Sequence, residues 1–123
     1  GFAVGAQSHL DDLAEMMGNW AVSGPALAVG RSALRDRIWT IQMTTQLATE
    51  SVQLDQLAIA AGWQIVGGTS LFRLYQMADA AAWQDRLARH QIWVRSFSYN
   101  ANWLRLGLPS QTGLARLEKA LRA

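Results

Sequence analysis

No cysteine occurs in the 123 residues, and that absence removes a disulfide framework, a cysteine-ligated zinc site and a cysteine nucleophile together. Lysine is almost as scarce, with Lys119 standing alone against ten arginines. A Schiff-base lysine needs a buried, electropositive pocket, whereas Lys119 follows Glu118 near the chain end and reads as a solvated side chain. Histidine occurs twice, as His9 and His90. Neither has a second ligand or a carboxylate at metal spacing, so no metal site is expected. Charge is sparse as well: 16% of residues are charged and the net value is +2. The pI of 9.7 reflects arginine outnumbering lysine, and with no basic run or stripe nucleic acid is not an expected partner.

Long apolar runs are also missing. The longest uncharged stretches, Met16 to Gly30 and Gln56 to Phe72, are each broken by glycine or proline and fall short of the ~18 to 20 apolar residues of a spanning helix. No membrane partner is expected. The amino terminus has no basic region ahead of an apolar run, which argues against a signal peptide and for a cytoplasmic protein. What is present is apolar: 50% of positions are hydrophobic, enough to exclude disorder and to build one compact domain. The chain opens Gly1-Phe2-Ala3-Val4-Gly5 in what reads as the middle of an apolar strand, so a fragment of a longer protein is expected.

Asp11 to Met17 reads as a short helix, with Leu10, Leu13 and Met17 on one face and Gly18-Asn19 as the stop. Ser23-Gly24-Pro25 is a strong helix start, since a serine hydroxyl caps free amides and proline in the first turn forfeits no hydrogen bond. From there Leu27, Leu34, Ile38, Ile41, Leu47, Leu54, Leu57 and Ala61 recur at helical spacings as far as Gly62, with a break near Arg35-Asp36. That face is expected to pack on a sheet. The period then changes, and Trp63 to Val66 and Leu71 to Met77 read as strands around a turn or bulge at Gly67-Gly68. Asp79 to His90 is helical with Ala82, Trp83 and Leu87 as its apolar stripe. Two further strands, Ile92 to Ser96 and Trp103 to Leu108, flank a polar loop holding Asn100 and Asn102. Pro109-Ser110 opens a last helix, Gln111 to Arg122, with Leu114, Leu117 and Leu121 inward. The order predicts an α/β two-layer sandwich: a small mixed sheet of about four strands, a long N-terminal helix and two further helices.

The candidate chemistry lies in the last two strands. Alternation places Trp93 and Arg95 on one face of their strand and Trp103 and Arg105 on one face of theirs, with Ile92, Val94, Leu104, Leu106 and Leu108 pointing the other way. Close strands would bring the arginines together. No aspartate or glutamate occurs from Arg86 through Leu117, so neither guanidinium has an acid nearby in sequence. An anionic ligand, an acid on another domain, or open solvent at the sheet edge would each satisfy them. Gly67-Gly68-Thr69-Ser70 is superficially similar to a phosphate loop, but no helix start or lysine follows it, and turn chemistry accounts for it better.

Four segments in order, Trp20 to Leu27, Val66 to Leu74, Val94 to Phe97 and Leu104 to Pro109, resemble landmarks of the threonine-phosphate decarboxylases of cobalamin biosynthesis, pyridoxal-phosphate enzymes of the class I/II aminotransferase fold. The resemblance covers about residues 1 to 123. It implies that the chain is the C-terminal small domain of a larger enzyme, the domain that closes over substrate. The cofactor lysine would lie upstream of a segment similar to Gly1 to Gly5, in a large domain that this chain lacks. No catalytic, cofactor-binding or metal-binding residue is then expected here, and the segment alone would be inactive. By the resemblance Arg105 matches the arginine that binds the substrate carboxylate, and Arg95 a second arginine near the substrate.

For the parent the resemblance implies a homodimer that decarboxylates L-threonine O-3-phosphate, an anionic amino-acid phosphate, to an aminopropanol phosphate. Its partners would be that substrate and the large domain. A histidinol-phosphate-type aminotransferase shares the general plan and is the nearest alternative. A stand-alone module that binds an anion or a partner chain through the Trp93, Arg95, Trp103 and Arg105 face is another.

Overall fold

The computed structural model describes residues 2–19 and 21–122. Gly1, Trp20 and Ala123 lie outside the described residues, the first two among the positions singled out above. Two compact units divide the chain, Gly1–Trp39 and Thr40–Ala123.

The first unit holds α1 (Gln7–Met17) and α2 (Gly24–Arg35). Helix α1 begins ahead of the expected Asp11 and stops at Gly18, whose φ of +70° suits glycine and whose N–H reaches the carbonyls of Ala14 and Glu15. Ser23 caps α2 as expected, its hydroxyl accepting the Ala26 N–H at 3.4 Å. At Asp36 the helix breaks, and the Asp36 carboxylate accepts the Trp39 N–H at 2.9 Å to start α3 (Arg37–Ala60). Neither α1 nor α2 buries a residue. Residues 2–5 form no strand, against expectation, and Phe2 and Val4 are exposed; a strand persists only where a neighbour takes up its backbone groups.

The second unit is a four-stranded sheet with helices. Strands β1 (Gln64–Gly68), β2 (Phe72–Gln76), β3 (Arg95–Phe97) and β4 (Asn100–Gly107) lie in the order β1-β2-β4-β3. All three pairings are antiparallel, so the sheet is not the mixed one expected. The reason is connectivity. Each pair of successive strands forms a hairpin, and it is β4 that docks on β2, which puts β3 at the edge after the crossover through α4 (Ala80–Arg89).

Strand β3 is shorter than the expected Ile92 to Ser96. Gln91 turns at φ +60°, and the N–H groups of Gln91 and Ile92 return to the last carbonyls of α4 at 2.9 Å each, which holds this stretch to the helix end. Asn100 and Asn102, expected in a loop, belong to β4, because only Ser98 and Tyr99 form the turn. The bulge expected at Gly67-Gly68 falls between Ile65 and Gly67 in the register. At Gly68, φ is +140° and an added Cβ would stand 2.4 Å from the Phe72 carbonyl oxygen, so only glycine fits there.

One core joins the sheet to its helices. Leu54 of α3, Tyr75 of β2, Leu87 of α4, Leu104 of β4 and Leu117 of α5 (Gln111–Arg122) are its largest fully buried side chains. On α4 the inward stripe is Ala80, Trp83 and Leu87; Ala82 is exposed in the first turn, where its N–H meets the Asp79 cap at 2.9 Å. Of the long apolar series, only Leu54 is fully buried, with Ser51 and Ala58 beside it on α3, while Leu27, Leu34, Ile38 and Ile41 are exposed. Within the second unit the expected packing on the sheet therefore holds for Leu54, in the last turns of α3, and not for Ile41.

Asp55, on the same turns, fastens α3 to β2. Its carboxylate receives Arg73 Nε at 2.9 Å and Nη2 at 2.7 Å, and the Tyr75 hydroxyl donates to it at 2.8 Å. Burial first, and then the hydrogen bond to Asp55, hold the Tyr75 phenol proton well above its ordinary range near 10. The fold thus favours the neutral phenol. Its contribution is complete below the unfolded-state pKa of about 10 and is lost as pH rises beyond it. Denaturant titrations at pH 8 and pH 11 are expected to show a larger loss of stability for the parent chain than for Tyr75→Phe; equal losses would remove Tyr75 from the alkaline transition.

Candidate anion-binding face

Strand alternation decides which side chains share the outer face of the sheet. In β4, Leu104 and Leu106 are buried, so Trp103, Arg105 and Gly107 point away from the core. In β2, Leu74 pairs with Arg105 and Phe72 with Gly107, which brings Phe72 to that face as well. In β3, Arg95 is the direct cross-strand partner of Arg105. The two arginines singled out from sequence are thus neighbours on adjacent strands.

Directly opposed like charges destabilise a sheet, and no acid relieves this pair. The ion pairs among the described residues join Arg73 to Asp55 and Arg122 to Glu118, and neither includes Arg95 or Arg105. Aromatic rings support the two guanidinium groups instead: Arg105 Cζ lies 5.0 Å from the Phe72 ring centroid and Arg95 Cζ 5.7 Å from that of Phe97. The arginines open into a cleft of about 490 Å³, lined also by Phe72, Trp93, Ser96 and Gly107. Its floor at Gly107 is open, since a Cβ there would meet nothing within 4 Å. Trp93 at the rim is 84% exposed. From behind, Gln84 of α4 donates to the Val94 carbonyl at 3.1 Å and ties the approach to β3 in place. A cationic, open cleft with free planar donor forks is suited to a carboxylate or a phosphate.

Trp103 shares the face but not the cleft. It packs edge-on against Phe97 and Tyr99 at centroid distances of 6.5 and 6.4 Å. Phe72 and Gln84 were not anticipated as lining residues. Alternation within Leu71 to Met77 does group Phe72 with Leu74 and Gln76, but only the β2-β4 pairing shows that this group adjoins Arg105.

The remaining polar candidates stand elsewhere. His9 is exposed on α1 and His90 ends α4. Among the described residues no group of three or more histidines and acids is placed to hold a metal ion, and no helix is long and apolar enough to cross a membrane. Lys119 is exposed in the last turn of α5. Gly67 and Gly68 end β1, and Thr69 donates its N–H to the Phe72 carbonyl at 2.9 Å and accepts the Leu71 N–H at 3.1 Å, so Gly67 to Ser70 is a strand end with a closed turn and not an anion loop.

An antiparallel sheet with helices on its inner face, and on its outer one two arginines that join no ion pair among the described residues, defines a small α/β domain. The chain belongs to the aminotransferase class I and II family, whose sequence model matches residues 1–123. It is 43% identical over 122 residues to the threonine-phosphate decarboxylase of Pseudomonas aeruginosa, covering 98% of this chain and 37% of that protein. To the threonine-phosphate decarboxylase of a Sinorhizobium species it is 37% identical over 122 residues, covering 98% of this chain and 36% of that one. The chain therefore spans little more than a third of the length of these curated relatives.

Proposed function

We propose that residues 1–123 are the C-terminal, substrate-closing portion of a pyridoxal-phosphate-dependent L-threonine O-3-phosphate decarboxylase that makes aminopropanol phosphate for cobalamin biosynthesis in the cytoplasm. The observation that carries the reading is the acid-free Arg95–Arg105 couple in an open cleft, on a chain whose curated relatives are threonine-phosphate decarboxylases. A substrate bearing a carboxylate and a phosphate supplies the negative charge this couple lacks. Arg105, half-buried with its Cζ over the Phe72 ring, is the substrate-carboxylate ligand in this reading; Arg95, exposed at the edge strand, is the second anchor. Fixing the substrate at two anionic ends sets the orientation of the bond that breaks.

The residues described here do not fit the cofactor. Its internal linkage needs a lysine in a buried cationic pocket, and Lys119 stands in solvent beside Glu118. Pyridoxal phosphate, the electron sink of such reactions, belongs in this reading to the large domain, and the parent is a homodimer.

The test uses the complete protein loaded with pyridoxal phosphate and given L-threonine O-3-phosphate. Carbon dioxide and (R)-1-amino-2-propanol O-2-phosphate are expected in equal amounts, a proton taking the place of the lost carboxylate. Amino transfer to a 2-oxo acid without carbon dioxide would assign the chain to a histidinol-phosphate-type aminotransferase instead.

A further inference from the structure

The sheet holds its arginines in two ways. Arg73, on the inner face, is clamped by both oxygens of Asp55, so its donor fork is occupied. Arg105, one strand away on the outer face, is held only by the face of Phe72 at 5.0 Å. A carboxylate in that place would compete with any incoming anion for the N–H donors. A ring face does not, because it attracts the cation through its π-electrons and offers no lone-pair oxygen to occupy the N–H donors. Stacking by itself marks no site, since Arg86 also lies 4.8 Å over Trp83 on α4. What separates Phe72 is its position: it stands opposite Gly107, lines the cleft, which Phe97 beneath Arg95 does not, and reaches the half-buried member of the Arg95–Arg105 pair.

We infer that Phe72 is a positioning residue for the substrate anion, fixing the plane of the Arg105 guanidinium against repulsion from Arg95 so that its fork points into the cleft. The inference rests on the proposed role of Arg105 in anion binding. It predicts that the aromatic face of Phe72, and not its bulk alone, sets the affinity for an oxyanion.

The experiment is calorimetric titration of the full-length holoenzyme with inorganic phosphate at constant ionic strength, for the parent, Phe72→Leu, Phe72→Tyr and Arg105→Lys. Phe72→Leu is expected to weaken binding about three- to tenfold, the scale of a partly exposed cation–π contact. Phe72→Tyr, which keeps the ring, is expected to restore it to within about twofold. Phe72 is 37% exposed, so both variants fold, and thermal denaturation verifies it. Equal binding by Phe72→Leu and the parent overturns the inference, as does a Phe72→Tyr as weak as Phe72→Leu. The titration does not depend on turnover: a holoenzyme that binds phosphate through Phe72 yet fails to decarboxylate threonine phosphate would sink the proposed reaction and leave the positioning role standing. If Arg105→Lys binds phosphate as the parent does, the anion role of Arg105 falls, and the positioning role of Phe72 with it.

Discussion

Arg105→Lys in the complete enzyme is expected to lower kcat/KM by roughly thirtyfold or more, about 2 kcal/mol of transition-state stabilisation, although the charge is retained. An ammonium is a compact point charge on a flexible stem and reproduces neither the planar two-bond grip on a carboxylate nor the stack on an aromatic face. Arg105 offers both, with its Cζ over the Phe72 ring at 5.0 Å and no carboxylate partner among the described residues. Exposed Arg31 on α2 provides the control, and Arg31→Lys should leave kcat/KM within about twofold, as surface changes do. Steady-state kinetics with folding verified separately decide it. Small and equal effects would reduce Arg105 to a sheet-edge residue.

The arginine couple is legible in the sequence because strand alternation has a period of two and leaves no choice of face once the leucines are assigned. Leu104 and Leu106 fix the inner side, and Arg105 and Gly107 must take the other. The acid-free stretch from Arg86 to Leu117 left each guanidinium without an acid nearby in sequence, and the ion pairs among the described residues include neither Arg95 nor Arg105. Phe72 was not legible as part of the cleft. Its neighbours depend on which strand docks beside β2, a long-range choice that a local pattern does not encode. The same choice explains the antiparallel sheet, since the hairpin turn at Ser98-Tyr99 lets β4 and not β3 enter beside β2. Asp55, which closes the network with Arg73 and Tyr75, was hidden for a similar reason: it lies 18 residues from Arg73 in sequence.

Helix α3 shows the opposite failure, where a pattern was present but did not select a face. Apolar residues are spread around its whole circumference: Trp39, Ile41, Val52 and Ile59 are exposed while Leu54 and Ala58 are buried. A series of leucines and isoleucines at spacings of three, four and seven can be drawn along such a helix, yet only its last turns lie over the sheet. Contact with a second layer, and not the series itself, decides which members are core.

That distinction has a thermodynamic consequence. In the 123-residue chain Leu54→Ala is expected to cost about 2 to 5 kcal/mol, because Leu54 is 0% exposed and shares the core with Tyr75, Leu104 and Leu117. Leu34→Ala belongs to the same apolar series but removes a side chain that is 67% exposed, and its expected cost stays within about 0.5 kcal/mol. Half-buried Leu57 falls between the two. Chemical denaturation of the three variants measures the gradient directly. Similar costs at Leu34 and Leu54 would mean that Leu34 is buried as deeply as Leu54.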